Sequence, residues 1–288
     1  MGYIERYQDL LKKQNINYFS TGKVLFREYN KIIVPLGPIL QDKDQYSNFS
    51  VNDLKGLKGF LIWWSYTSEK ESEWYGVIKD SYFDISDYKS SNVRNQIKKG
   101  LKNNQIKKLD IDYLLENGYS TYKSALKRFT SVDKIICEET FVRNISAFKG
   151  FNDIIDIWGI FQDEAFVGYS IIYTYDKIEA NISEVRINPA YQKMYPSYAL
   201  FHMLQEYYLK EKGFDYVSDG YRSVSHETKI QDLLIDKFGF RKLYLSLNLH
   251  IVKPLKWIFE MLFYVRGVFV IKKIEPVIRL MSHAKNNE

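Results

Sequence analysis

The most constraining feature of this 288-residue chain is a rhythm of short apolar runs and helical stretches between residues 105 and 252. It predicts a strand over 106–111 and helices over 113–129 and 134–149. A strand over 157–161, the polar turn Gln162-Asp163-Glu164 and a strand over 166–175 read as a hairpin, followed by a strand over 182–187. A helix over 196–212, ended by Gly213, leads to a strand over 214–217. A helix over 226–238, ended by Gly239, leads to a last strand over 243–252. Strands that mix hairpins with helical crossovers close into one mixed sheet with helices on its faces, so the fold class is α/β.

The flanking regions differ in character. Residues 1–88 are rich in β-branched and aromatic residues, with short strands expected at 18–19, 24–26, 32–34, 60–64 and 74–78 and a turn at Gly37-Pro38. No catalytic motif occurs there. Residues 89–108, KSSNVRNQIKKGLKNNQIKK, hold seven basic side chains and no acidic one. Ser90 or Ser91 can cap a helix, Val93, Ile97 and Leu101 form a narrow apolar stripe, and Gly100 with Asn103-Asn104 should end it. Arg94, Lys98 and Lys102 recur on the adjoining face. That face either grips phosphates, of tRNA, a lipid-linked precursor or a nucleotide sugar, or is simply solvated.

Residues 253–288 are strongly apolar with scattered charges, and Gly267 and Pro276 should divide them into two short helices. Three readings stay open for the segment 253–281: it packs on the rest of the chain, forms a homodimer interface, or lies on a membrane surface with its lysines toward anionic lipid. The net charge of +6 hides this distribution: residues 89–108 carry +7 and 253–288 carry +4, leaving the rest at −5. An anionic partner is therefore expected at those two places.

Several classes are excluded. A single cysteine, Cys137, expected within the 134–149 helix, leaves no internal disulfide framework and no Cys-rich zinc site. His202, His250 and His283 are too scattered to make a metal centre, so no metal is expected. Glu5 and Asp9 interrupt the N-terminus where a signal peptide needs an apolar run, and no stretch of uncharged apolar residues is long enough to span a bilayer. A cytoplasmic protein is expected, at most touching the inner face of the membrane.

Four stretches resemble the GNAT superfamily of N-acyltransferases over roughly 105–252. They are WGIFQDEAFVGYSIIY (158–173), EVRINPAYQ (184–192), the helix after it, and DLLIDKFGFRK (232–242). A narrower resemblance is to the bacterial Fem-type transferases, which fuse two GNAT-like halves and attach amino acids to cell-wall precursors. NVRNQIKKGLKN (92–103) is similar to the basic helix joining their halves, and GFDYVSDGY (213–221) to their aromatic-Gly strand end. The resemblance implies a degenerate GNAT-like half over 1–103, a catalytic GNAT-like domain over 104–252 and a C-terminal helical tail over 253–288. It implies an acyltransferase that moves an acyl or aminoacyl group onto an amine of a cell-envelope precursor or amino sugar. The donor would be acyl-coenzyme A or aminoacyl-tRNA, and the acceptor a small molecule or a lipid-linked one.

The resemblance also assigns roles to residues. Backbone N–H groups around Val185 and Ile187 would polarise the acyl carbonyl. Gln192, Lys193, Tyr195 and Ser197 occupy the turn that cradles the donor's phosphates at a helix N-terminus. Family members carry glycine where this chain has Tyr195, followed here by Pro196, which has no N–H to offer. Ile235 stands where many members place a proton-donating tyrosine. Glu184 is the candidate base, or else a strand charge paired with Arg186. Asp219 at a strand end is a second candidate, or else a capping loop residue. Tyr221 and His226 are the candidate proton donors, His226 being equally suited to a plain cap. The altered turn and missing tyrosine also fit a catalytically inactive GNAT-like module that binds RNA, a partner protein or the membrane surface.

Overall fold

The first residues after Met1 place Tyr7, Leu10 and Leu11 on one face, and they form a helix, α1 (Tyr3–Lys13), that buries those three side chains. The structure is a computed structural model that describes residues 2–127, 135–223, 229–253, 255–264 and 275–285. After α1 come β1 (Tyr18–Ser20), β2 (Leu25–Tyr29), β3 (Ile32–Pro35), β4 (Leu61–Thr67) and β5 (Tyr75–Lys79). Next are α2 (Ser91–Asn103), β6 (Gln105–Leu109), α3 (Ile111–Leu126), α4 (Glu138–Ser146), β7 (Ile155–Gln162), β8 (Ala165–Tyr175) and β9 (Glu179–Ile187). The chain continues through α5 (Pro196–Gln205), β10 (Tyr216–Tyr221), α6 (Lys229–Phe238), β11 (Arg241–Ile251), α7 (Leu255–Tyr264) and α8 (Glu275–Lys285).

Two compact units are built from non-contiguous segments: 1–77, 221–232 and 242–288 form the first, and 78–220 with 233–241 the second. In the first, β1, β2 and β3 form an antiparallel meander, β3 runs parallel to β4, and β4 pairs antiparallel with β11. Val24, Phe26, Ile33, Tyr46, Leu54 and Ile62 form a core on this sheet, closed by Phe49, which stacks on Phe26 at 4.7 Å. The last two helices belong to this unit. Phe259 of α7 stacks on Phe60 at 5.8 Å, and Leu280 and Met281 of α8 are buried.

In the second unit β6, β7, β8 and β9 pair antiparallel in chain order, and β9 pairs parallel with β10. β8 is buried along most of its length, as expected of a strand covered on both faces. Helix α3 packs on β8 and β9, and α2 packs on α5.

Several local expectations are corrected. The helix expected over 134–149 begins at Glu138, so Cys137 is its N-cap rather than a mid-helix residue. Gly100 does not end α2. The helix passes through it to Asn103, because a Cβ at Gly100 would lie 2.6 Å from the Tyr195 carbonyl oxygen and the missing side chain is what allows that approach. The two short helices expected in the tail are present as α7 and α8, and Pro276 lies in the first turn of α8, where its missing N–H costs nothing. Gly267 lies outside the described residues. The strand expected over 214–217 instead spans Tyr216–Tyr221.

Candidate active site

The second unit's sheet carries a gap at its parallel pair. Residues 179–181 of β9 pair with 216–218 of β10, and there the pairing stops although both strands continue. Gly220, with a φ of +78°, gives β10 a left-handed residue at this point, a conformation that a side chain would strain. On its other edge β9 stays paired with β8, where Ile171 faces Glu184 and Ile172 faces Ile182, so Ser183 is the extra residue of a β-bulge.

The antiparallel ladder fixes where the β9 amides point. Asn188 N–H donates to the Val167 carbonyl at 2.8 Å, so that pair and, two residues on, Arg186 with Tyr169 are the hydrogen-bonded ones. Val185 and Ile187 lie at the intervening positions, opposite Ser170 and Gly168. Their N–H groups point away from β8, toward the side on which β10 diverges. A carbonyl oxygen held there would meet fixed donors that need no reorganisation.

A buried carboxylate stands where the paired segment begins. Glu179 is fully buried and accepts hydrogen bonds from Tyr216 Oη at 2.7 Å, Asn181 Nδ2 at 3.2 Å and the Ser218 hydroxyl. Asn181 also donates to Ser218 Oγ at 2.7 Å. These bonds tie β9 to β10 just before they separate.

Glu184 is half-buried on the unpaired stretch. It accepts from Tyr169 Oη at 2.8 Å and pairs with Arg186 Nε at 3.2 Å, and the Arg186 guanidinium lies 5.9 Å from the Tyr122 ring. Burial, and then the Glu184 charge, push the Tyr169 phenol far up, so it remains a donor to the carboxylate. Both readings of Glu184 thus coexist in the geometry: it lies on the stretch of β9 that β10 leaves, and it is paired with Arg186.

Beyond Ile187 the chain makes a 3₁₀ turn, Pro189–Met194, and enters α5 at Tyr195 and Pro196. Tyr195 adopts a left-handed conformation, with φ +54°, that a glycine would take without strain. Donors are scarce here. Pro196 has no N–H, Tyr195 N–H returns to Gln192 O at 3.0 Å, and Tyr198 N–H returns to Tyr195 O at 3.1 Å. Among the described residues this leaves the Ser197 N–H at the helix mouth. Positive charge lies beside it: Lys99 Nζ is 5.3 Å from the Tyr195 ring centre, and Lys193 is exposed on the turn. Asn104, buried at the end of α2, bonds both Gly100 O and Met194 O at 2.8 Å and so fixes the turn to α2.

The candidate residues divide accordingly. Glu184, Val185, Ile187, Gln192, Lys193, Tyr195 and Ser197 lie on β9 and the turn after it, and Asp219 lies on β10 past the pairing. Tyr221 falls in the first unit, between Trp63 at 5.0 Å and Trp74 at 5.8 Å. His226 lies outside the described residues. On α2, Arg94 Nη1 turns back onto the Tyr88 and Lys89 carbonyls at 2.5 and 3.1 Å, while Lys98 and Lys102 are exposed. The four-residue spacing marked Arg94 as part of an outward row, and only its local capping geometry takes it out. Sequence reasoning passed over Tyr169 and Glu179 and took Asn104 only as a helix end; their roles come from cross-strand or interhelical neighbours. Among the described residues no group of three His, Cys, Asp or Glu side chains is placed to hold a metal ion.

No family model matches the chain, and no curated protein matches its sequence. Solved structures do match its shape. FemX superposes with a TM-score of 0.57 at 8% identity, covering 88% of this chain and 92% of that one. The C-terminal domain assigned to a lysylphosphatidylglycerol synthetase of Agrobacterium fabrum gives 0.52 at 11%, over 76% and 78%. A conserved protein of unknown function from Bacteroides thetaiotaomicron gives 0.52 at 9%, over 85% and 88%. At these identities the likeness is one of fold, and the fold is the GNAT-like mixed sheet with flanking helices.

Proposed function

We propose that the chain is an N-acyltransferase of Fem-like type, moving an acyl or aminoacyl group from an activated donor to an amine of a cell-envelope precursor or amino sugar. The observation that carries this reading is the gap between β9 and β10, toward which the Val185 and Ile187 N–H groups point. In the reaction the acceptor's amine nitrogen attacks the donor carbonyl, and those N–H groups hold the oxygen as it gains charge. The amine's surplus proton passes to Glu184, directly or through water, while the C–O or C–S bond to the donor breaks and the leaving oxygen or sulfur takes up a proton. Asp219 is the further candidate for proton transfer. Gln192, Lys193, Tyr195 and Ser197 would hold the donor's phosphate end, with Lys98 and Lys102 offering charge to a longer anionic donor and Arg94 acting from within as a brace. The scarcity of N–H donors at Tyr195 and Pro196 favours aminoacyl-tRNA over coenzyme A.

Thermal unfolding with coenzyme A, acetyl-coenzyme A and aminoacyl-tRNA tests this. A donor at a hundred times its Kd stabilises the protein by about 2.7 kcal/mol. Transfer to an amine should then fall by roughly 10²–10⁴ in Glu184→Gln. A protein that none of the donors stabilises overturns the proposal. The second reading, an inactive GNAT-like module that binds RNA or a partner protein, is favoured by one observation: Glu184 is already engaged by Arg186 and Tyr169. Stabilisation by uncharged tRNA and by aminoacyl-tRNA alike, with no transfer, would support it.

A further inference from the structure

Glu184 and Arg186 stand two residues apart on the stretch of β9 that β10 leaves, and each is supported by its own tyrosine. Glu184 accepts from Tyr169 Oη at 2.8 Å. The Arg186 guanidinium lies 5.9 Å from the ring of Tyr122, a buried residue of α3 whose hydroxyl accepts from Ile136 N–H at 3.4 Å. Both charged side chains keep 27% of their surface exposed, so both remain within reach of a ligand. What joins them is a weak contact. Arg186 Nε comes within 3.2 Å of Glu184 Oε1, yet its N–H finds no acceptor among the described residues. The hydrogen bond that the guanidinium does make there runs from Nη1 to the Val185 carbonyl at 3.2 Å. A guanidinium carries five N–H donors in a planar fork, so most of this one's capacity is unspent.

We infer that this pair recognises the acceptor, and that the acceptor is an amine with a carboxylate on the neighbouring carbon: an α-amino acid, free or as the zwitterionic end of a larger molecule. The inference rests on the proposed transfer and names its acceptor class. The acceptor's carboxylate takes the Arg186 fork, and its ammonium takes Glu184. Two opposite charges at about hydrogen-bond distance match a zwitterion of similar spacing. An amino sugar would leave the guanidinium unanswered, and a plain anion would leave Glu184 so. The exchange costs little, because the two supports are separate. Drawing the pair apart keeps the Tyr122 and Tyr169 contacts and gives up only a partly exposed ion pair. In its place the ligand's carboxylate makes charge-assisted bonds to the fork. Glu184 directly precedes Val185, whose N–H points toward the gap, so the amine is brought to the side where the donor carbonyl would sit. There the nitrogen forms its bond to the carbonyl carbon while the C–O or C–S bond to the donor breaks. Of the two protons the ammonium gives up, one goes to the leaving oxygen or sulfur and one through Glu184 to solvent.

The test is binding of the common L-amino acids, of D-alanine and D-glutamate, and of the carboxamide of each to the full chain, read by saturation-transfer NMR at millimolar ligand. At least one α-amino acid is expected to bind roughly tenfold or more tighter than its carboxamide, which cannot make the charge-assisted bonds. Arg186→Met should abolish that preference, and Arg186→Lys should keep part of it. Thermal unfolding of both variants, with unchanged binding of the carboxamide, separates lost recognition from lost folding. Equal affinity for acid and carboxamide in the parent chain overturns the inference. So does a preference that survives in Arg186→Met, and so does a failure of every α-amino acid to bind. The proposed transfer fails separately, through donors that do not stabilise the protein. Transfer to amines without a carboxylate at an undiminished rate would leave that reading standing and overturn this one.

Discussion

Replacing Lys79 by methionine should stabilise the protein at neutral pH and lose that advantage in alkali. Lys79 ends β5 with 1% of its surface exposed, and its Nζ has no hydrogen-bond partner among the described residues. It sits 3.3 Å from the centre of the Phe83 ring, which stabilises the cation without replacing the water it has lost. Desolvation lowers its pKa from 10.5 to about 8, against a smaller opposing pull from Asp80 and Asp87. Asp80 is itself engaged by Arg241 Nε at 2.9 Å, which limits what it offers the amine. A lysine whose folded pKa is depressed keeps its proton longer in the unfolded chain. Stability therefore rises with pH between about 8 and 10.5, the two values for this group, and is at its lowest below about 8. At 1.36 kcal/mol per pKa unit the whole span is worth about 3 kcal/mol. Lys79→Met removes the penalty and also the contact with Phe83, so a net gain of about 1–2 kcal/mol is expected at pH 7. That gain should cross zero between about pH 8 and 10.5 and become a loss of about 1–2 kcal/mol above it, once the parent has recovered the whole span. Chemical denaturation of both proteins across this range measures it, and every other titrating group cancels in the difference. A difference between the two proteins that stays constant from pH 7 upward would refute the reasoning, because the amine would then not change its charge on folding.

Two further perturbations probe the site's framework. Gly100→Ala should destabilise by about 1–3 kcal/mol, because the new Cβ meets Tyr195 O at 2.6 Å and must push α2 off the turn; thermal unfolding reads the loss, and donor affinity should fall with it. Glu179→Ala removes the buried carboxylate that accepts from Tyr216 Oη and the Ser218 hydroxyl and should cost about 2–4 kcal/mol, whereas Glu179→Gln keeps part of the network and should cost less. Urea denaturation of the two variants checks the order.

The alternation of strands and helices was legible because each element's apolar spacing is local, and the hairpin around Asp163, the caps and the basic stretch of α2 follow from it. The splayed strands were legible only through resemblance. Pairing that stops after Ser218 depends on Gly220 and on the β9 bulge at Ser183, neither of which changes composition or periodicity enough to be seen. Gly100 was misread for a similar reason. Glycine in a helical run signals an end unless a second helix presses on it, and that second helix is nearly a hundred residues away.

What the chain determines by itself is the sequence of elements, the placement of its positive charge in α2 and in the tail, and the residue types along β9 and the turn that follows. Hydrophobic periodicity and local hydrogen bonding suffice for those. What only the tertiary structure decides is which of these groups stay available. Arg94 folds back on two carbonyls, Glu184 is met by Tyr169 and Arg186, and Lys79 is buried without an acceptor among the described residues, while Trp257 and Met261 are left outside. Availability is a property of desolvation and of neighbours distant in sequence. No local pattern encodes it, because the same side chain at the same spacing is a ligand when exposed and a brace when covered.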